Sequence, residues 1–368
     1  MKYYIIAGEK SGDLHGHNLV KALREEDSGA QFQGFGGDKM SREGVNIIVH
    51  IKDLAIMGFT EVILNFRRIR GMFNLCKRDI VKFSPDVVIL IDFGGFNLRI
   101  AAFTKSIGLP VFYYISPKVW AWNQSRSWKI KARVNKMFVI LPFEKEFYQK
   151  YDWEVDYVGN PVVNAVNDHH LNSDFLRING LADDKKIVAL LPGSRIQELK
   201  RILPEMVILA NRFKEYQFVI AGVTEVPGLY YNVSDIPNLK IIYDQTYDLL
   251  ANSYTAIVAS GTATLETALW NVPQVVVYKT STINYFIASR VAKVPYISLV
   301  NLLAGKEVIK ELIQSNFTKD KLITEFQSLL DPNTRRKILN DYQEIRNILG
   351  TEPVSKTTAR LMIKYLKS

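Results

Sequence analysis

The sequence predicts an α/β protein built as two Rossmann-like domains facing a cleft. Two observations carry this. Short β-rich apolar runs alternate with longer helix-patterned segments, which argues for βαβ units and parallel sheets rather than a sandwich or a bundle. The alternation occurs twice within 368 residues, a length that suits two domains rather than one core.

In the first half the strand candidates are 3–7, 87–92, 111–115, 137–141 and 155–158. Each runs into Gly, Pro, Ser or Asp and then a helix-like segment. The polar stretch Asn164 to Lys186, with its Asn179-Gly180 turn signal, marks a boundary. The expected division is therefore 1–163, a linker at 164–186, and 187–368. The second half repeats the pattern, with strands at 187–191, 217–221, 239–242, 255–259 and 274–278. Helices near 318–330, 333–348 and 354–366 close it. Two such halves would set the carboxyl ends of two sheets across a cleft, where ligands bind in open α/β sheets.

The composition, 48% hydrophobic and 23% charged, is that of a chain that folds throughout. No apolar run reaches the roughly 18 residues of a membrane span, and Met1 leads straight into strand-like Tyr3-Tyr4-Ile5-Ile6 rather than a signal peptide. The lone cysteine, Cys76, fits a reducing compartment, so the cytoplasm is the expected location. The net charge of +10 is unevenly spread. Residues 63–83 hold Arg67, Arg68, Arg70, Lys77, Arg78 and Lys82 against Asp79 alone, interleaved with Phe66, Phe73 and other apolar residues. Residues 118–136 add six basic side chains, no acid, and Trp120, Trp122 and Trp128. This mixture suits a lipid headgroup region, and it equally suits a solvated helix face over a core.

Four strand ends carry residues with chemical potential. Strand 187–191 enters Pro192-Gly193-Ser194-Arg195 and a helix beginning near Gln197, where backbone N–H groups, a small residue and a guanidinium would meet a phosphate. A plain turn with Ser194 as cap is the alternative. Strand 255–259 enters Ser260-Gly261-Thr262, a second strand–Gly–helix junction. Glu266 one turn further on would either accept from ribose hydroxyls or cap the helix. After strand 3–7 comes Gly8-Glu9-Lys10-Ser11-Gly12-Asp13, which matches neither GxGxxG nor GxxxxGK[ST]. Glu9, Ser11 and Asp13 are hydroxyl-binding or capping groups. Strand 87–92 ends in Asp92 before Phe93-Gly94-Gly95-Phe96-Asn97, making Asp92 a candidate general base or the closer of an Asx turn. Metal chemistry finds no HExxH, CxxC or Asp-x-Asp, and His15-Gly16-His17 reads as incidental. A serine or cysteine nucleophile lacks an elbow motif.

Six segments, taken in order, resemble the lipid-A-disaccharide synthase family over nearly the whole chain: Ala7–Asp13, Ile115–Trp122, Leu141–Glu144, Leu191–Arg195, Ser260–Ala263 and Asn301–Gly305. The resemblance implies a GT-B glycosyltransferase of a Gram-negative envelope pathway, working without a cofactor or metal at the cytoplasmic face of the inner membrane. It would join UDP-2,3-diacylglucosamine to 2,3-diacylglucosamine 1-phosphate through a β-1,6 linkage and release UDP. It also implies that the second domain holds the donor, through Gly193, Ser194, Arg195, Ser260, Gly261, Thr262, Glu266 and Asn301. The acceptor falls to Glu9, Ser11, Asn97 and Trp120, with Asp92, or else Asp13, as base. Phe66, Arg67, Arg68, Arg70 and Phe73 would meet the membrane. One departure stands out: many relatives carry a second acid where this chain has Gly95. Another UDP-sugar enzyme on the same scaffold, such as an epimerase or an N-acetylglucosaminyltransferase, remains an alternative. A nucleic-acid binder would explain the charge but finds no supporting motif.

Overall fold

The computed structural model describes residues 1–55, 66–231 and 236–368, with the backbone alone at 55, 66–68, 283–284 and 287–288. Two compact units emerge: residues 1–161 with 351–368, and residues 162–350.

The first unit is built on a seven-stranded, wholly parallel sheet. Its strands are β1 (Lys2–Ala7), β2 (Gln31–Gly36), β3 (Asn46–His50), β4 (Val87–Ile91), β5 (Val111–Tyr114), β6 (Lys136–Val139) and β7 (Asp156–Tyr157). They lie in the order β3-β2-β1-β4-β5-β6-β7. β1 from Tyr3 on and all of β4 are wholly buried, as strands covered by helices on both faces must be, so they read as unbroken apolar runs. β2 and β3 escape the apolar-run reading: β2 carries Gln31, Gln33, Gly34 and Gly36, and β3 is only partly covered.

The second unit holds β8 (Ile187–Leu191), β9 (Gln217–Gly222), β10 (Leu239–Tyr243), β11 (Ser253–Ala259), β12 (Gln274–Tyr278) and β13 (Glu311–Ile313). They form a parallel sheet in the order β10-β9-β8-β11-β12-β13. Both sheets are doubly wound. Each has a topological switch point, between β1 and β4 in one and between β8 and β11 in the other, where the chain changes winding direction and loops part to admit a ligand.

The expected division of the chain is corrected in two places. The stretch 164–186 is no loose linker: Phe175 and Leu181 are buried in the second core, and the Gln217 amide holds Ala182 through N–H···O at 2.8 Å and Nε2–H···O at 2.6 Å. The last helix, Val354–Lys367, leaves the second domain and returns to the first. It buries Val354, Ala359, Met362 and Ile363 in the core that contains Leu19 and Leu23 of helix Lys10–Glu26. Tyr365 donates to Asp156, and Lys356 and Arg360 pair with Glu25 and Glu26 at 2.9 and 3.1 Å. Position in sequence does not reveal such a return, because the apolar stripe of the helix fits either core.

Candidate active site

At the first switch point β1 ends in Gly8-Glu9 and β4 in Asp92-Phe93. The Phe93 ring lies so close over Gly8 that a Cβ there would come within 2.2 Å of it, which explains the glycine. Asp92 and Phe93 both adopt left-handed backbone, φ 44° and 50°, and Ile115 at the end of neighbouring β5 has φ 66°. Such conformations persist only where the surroundings over-determine them. Here the Asp92 carbonyl accepts from Asn97 Nδ2 at 2.9 Å and from the Tyr113 hydroxyl at 2.5 Å, while its N–H donates to Tyr114 at 3.1 Å. The main chain of Asp92 is thus clamped on three sides. Its half-buried carboxyl is pushed up to about 6, by burial first and then by the nearby charge of Glu9, against the opposing pull of Lys118. The group is thereby a better base that is still ionised at neutral pH.

Several residues assigned to the acceptor or to catalysis have polar groups engaged within the first domain. Asp13 is buried, and its carboxylate accepts from the backbone N–H groups of Gly37, Lys39 and Met40 at 2.7, 3.1 and 3.1 Å. It holds the start of the short helix Asp38–Arg42, three of its acceptor sites being used on backbone N–H groups. Asn97 is 0% exposed, its Nδ2 donating to the carbonyls of Ile91 and Asp92. Trp120 is 6% exposed and donates from Nε1 to Glu144 Oε1 at 3.1 Å, so it fastens its loop inside the domain. Glu144, itself buried, also accepts from Leu141 N–H, and burial lifts it to about 7. Glu9 and Ser11 do lie exposed at the sheet edge. His15 is pushed down to about 4 by burial and stays neutral at physiological pH. Sequence reasoning placed Lys118 only among surface charges; its position just past the end of β5, beside the switch point, was the signal it offered.

Of the membrane candidates, the side chains of Phe66, Arg67 and Arg68 lie outside the described residues, as do Ile63 and Leu64 entirely. Phe73 is corrected: it stacks on Phe96 with centroids 4.3 Å apart and packs inward. Arg70 is exposed on helix Phe66–Phe83, together with Leu75, Arg78, Val81 and Lys82. Trp122 and Trp128 are 47% and 53% exposed under the cations of Arg126 and Lys131. Among the described residues no helix is long and apolar enough to cross a membrane, and no cluster of three or more His, Cys, Asp or Glu is set to hold a metal ion.

At the second switch point β8 runs through Pro192-Gly193-Ser194 into helix Ile196–Arg212. Gly193 has φ +98°, a conformation that favours glycine, and a Cβ there would also press within 2.5 Å of Glu198 Oε2. No side chain caps this helix, Ser194 is exposed, and Arg195 is 79% exposed with its guanidinium 3.2 Å from Glu198. After β11, Gly261 and Thr262 are exposed, and Ser260 donates to the Ile297 carbonyl at 3.1 Å. Glu266 accepts from the Tyr247 hydroxyl at 2.9 Å rather than capping helix Ala263–Leu269, and burial raises its pKa. Tyr247, in the first turn of helix Thr246–Ala251, was not anticipated. Asn301 is corrected: it is fully buried, its oxygen accepts from the N–H groups of Val308 and Ile309, and Nδ2 donates to Ile309 and Glu311. It locks helix Leu299–Ala304 to β13.

The sequence model of the lipid-A-disaccharide synthetase family matches residues 3–364. A lipid-A-disaccharide synthase of Syntrophus aciditrophicus is 38% identical over 99% of this chain and 97% of its own length. One of Myxococcus xanthus is 35% identical over 98% and 97%. Among solved structures, a UDP-GlcNAc 2-epimerase from Neisseria meningitidis bound to UDP-GlcNAc superposes with a TM-score of 0.68 at 15% identity, covering 99% of this chain and all of that one. The glycotransferase of kitacinnamycin gives 0.68 at 12% identity, covering 99% of each. These two similarities speak for the fold, whereas the family match runs through the whole sequence. The chain belongs to the lipid-A-disaccharide synthetase family, a hexosyltransferase on two Rossmann-like domains.

Proposed function

We propose that the protein condenses UDP-2,3-diacylglucosamine with 2,3-diacylglucosamine 1-phosphate, inverting the donor's anomeric centre to give the β-1,6-linked disaccharide 1-phosphate and UDP. Asp92 carries this reading: a carboxyl pushed up to about 6, clamped at the first switch point. The acceptor's 6-oxygen attacks the anomeric carbon as its proton passes to Asp92. The bond from that carbon to the diphosphate oxygen breaks, and UDP leaves with the electron pair. Attack on the face opposite the diphosphate inverts the centre.

The donor is assigned to the second domain. Arg195 exchanges Glu198 for the diphosphate, and the uncapped start of helix Ile196–Arg212 adds backbone N–H groups and a favourable dipole. Gly193, Ser194, Ser260, Gly261 and Thr262 let the chain approach the phosphates, and Glu266 with Tyr247 takes the ribose hydroxyls. Glu9 and Ser11 bind acceptor hydroxyls in the first domain. In this reading charge neutralisation falls to these groups, and turnover survives chelation.

The acyl chains require a lipid surface. The exposed mixture of Arg70, Leu75, Arg78, Val81 and Lys82, with Trp122 and Trp128, supports peripheral contact with an anionic membrane at the cytoplasmic face. Mass spectrometry after incubation with both lipid substrates is the test. Disaccharide 1-phosphate plus UDP supports the reading, and an epimerised UDP-sugar or unchanged substrates overturn it.

A further inference from the structure

We propose that Lys118 is a positioning residue for the transfer, holding the neighbouring Asp92 carboxylate charged and ready as base. This rests on the reading of Asp92 above.

The argument begins with the loop that carries Lys118. β5 is tied to the Asp92 turn by Asp92 N–H to Tyr114 and by the Tyr113 hydroxyl to the Asp92 carbonyl. Immediately beyond, Ser116 Oγ lies 2.5 Å from the Tyr148 hydroxyl. Pro117 packs on Gly94 so tightly that a Cβ there would meet it at 3.1 Å. Two residues past Lys118, Trp120 is fastened to buried Glu144. The loop is therefore pinned on both sides of Lys118, and Pro117, its direct neighbour, rests two residues from Asp92. The Lys118 side chain is exposed and makes no ion pair or hydrogen bond among the described residues. Its field nevertheless reaches both Asp92 and Glu144, favouring the charged form of each.

The charges facing Asp92 are few. Glu9, at the start of helix Lys10–Glu26, opposes its ionisation, the Tyr113 hydroxyl on β5 is held neutral by burial, and Lys118 is the opposing cation. With Gly95 in place, Asp92 is the sole carboxylate of its turn. A lone base shielded from water loses activity as soon as it protonates. An ammonium nearby extends its working range downward in pH, and the pinned loop anchors the lysine stem there without a contact that would consume the carboxylate's lone pairs.

The experiment is the pH dependence of kcat/KM for the acceptor in the full-length protein, comparing wild type with Lys118→Gln, Lys118→Arg, Glu9→Gln and Asp92→Asn. Wild type should lose activity below a midpoint of about 6. Lys118→Gln should move that midpoint upward by roughly half to one pH unit, with kcat above pH 8 nearly restored, and Lys118→Arg should return it. Glu9→Gln should move it downward. Opposite shifts from two exposed residues cannot come from general loss of structure. If Asp92→Asn abolishes the acid limb but Lys118→Gln leaves it in place, or lowers the rate equally at every pH, Lys118 has no such role. If Asp92→Asn keeps the limb, Asp92 is not the base, and the role of Lys118 falls with that reading.

Discussion

The two switch points share a topology and differ in almost everything else. At the first, the backbone is strained and clamped, and the critical carboxyl is half-buried among aromatic rings, with Phe93 over Gly8 and Phe96 against both Phe93 and Phe73. At the second, Gly193, Ser194, Arg195, Gly261 and Thr262 line an open edge, and Arg195 makes an ion pair that it can exchange at little cost. A proton acceptor gains from rigidity and partial desolvation, because both tune its basicity. A diphosphate holder gains from exposed N–H groups and a mobile cation. Doubly wound sheets thus supply the place for chemistry, while the loops decide its kind.

Four variants test that contrast, the largest effect first. Asp92→Asn should lower kcat by at least about 10²-fold with donor affinity little changed, as removal of a general base does. A steady-state assay showing near-normal kcat would reduce Asp92 to a turn residue. The proposed lipid contact lies on the first domain, so combined Arg70→Gln and Arg78→Gln should weaken sedimentation with anionic vesicles by roughly thirtyfold, at about 1 kcal/mol for each arginine charge removed. Equal binding to anionic vesicles before and after would make the helix an ordinary solvated face. Arg195→Ala should raise the donor KM about tenfold, less than a buried charge-assisted bond would give because the guanidinium is exposed. An unchanged KM would remove it from the donor site. Asp13→Asn should leave kcat within about threefold while lowering stability by about 1–3 kcal/mol, since an amide cannot accept from three backbone N–H groups. Collapse of kcat with an unchanged melting temperature would restore Asp13 to the chemistry.

The central strands were legible because parallel strands buried on both faces leave unbroken apolar runs, as Ile5-Ile6 and Val87–Ile91 do. β2 was not, because Gln33 and Gly34 interrupt any run, and Gly34 is there for a close approach to the carbonyl of Ile5. The strand-end turns of both half-sites were legible because Asp, Ser and Arg leave a sheet at its carboxyl edge for few reasons. What the sequence concealed was the direction of individual amides and rings. Asn97, Asn301 and Trp120 stand in motif segments, yet each turns inward to hold the chain, and a motif names a residue without saying whether its hydrogen bonds serve ligand or backbone. The rise of Asp92 to about 6 was equally hidden, since it depends on Glu9 and on burial by segments distant in sequence.

The division of labour between the domains is tested most directly by calorimetric titration of UDP into Asp92→Asn and Arg195→Ala, alongside the wild-type protein. The account predicts wild-type UDP affinity in Asp92→Asn, whose turnover has collapsed, and about tenfold weaker binding in Arg195→Ala. Loss of UDP binding in Asp92→Asn, with full affinity retained in Arg195→Ala, would contradict it.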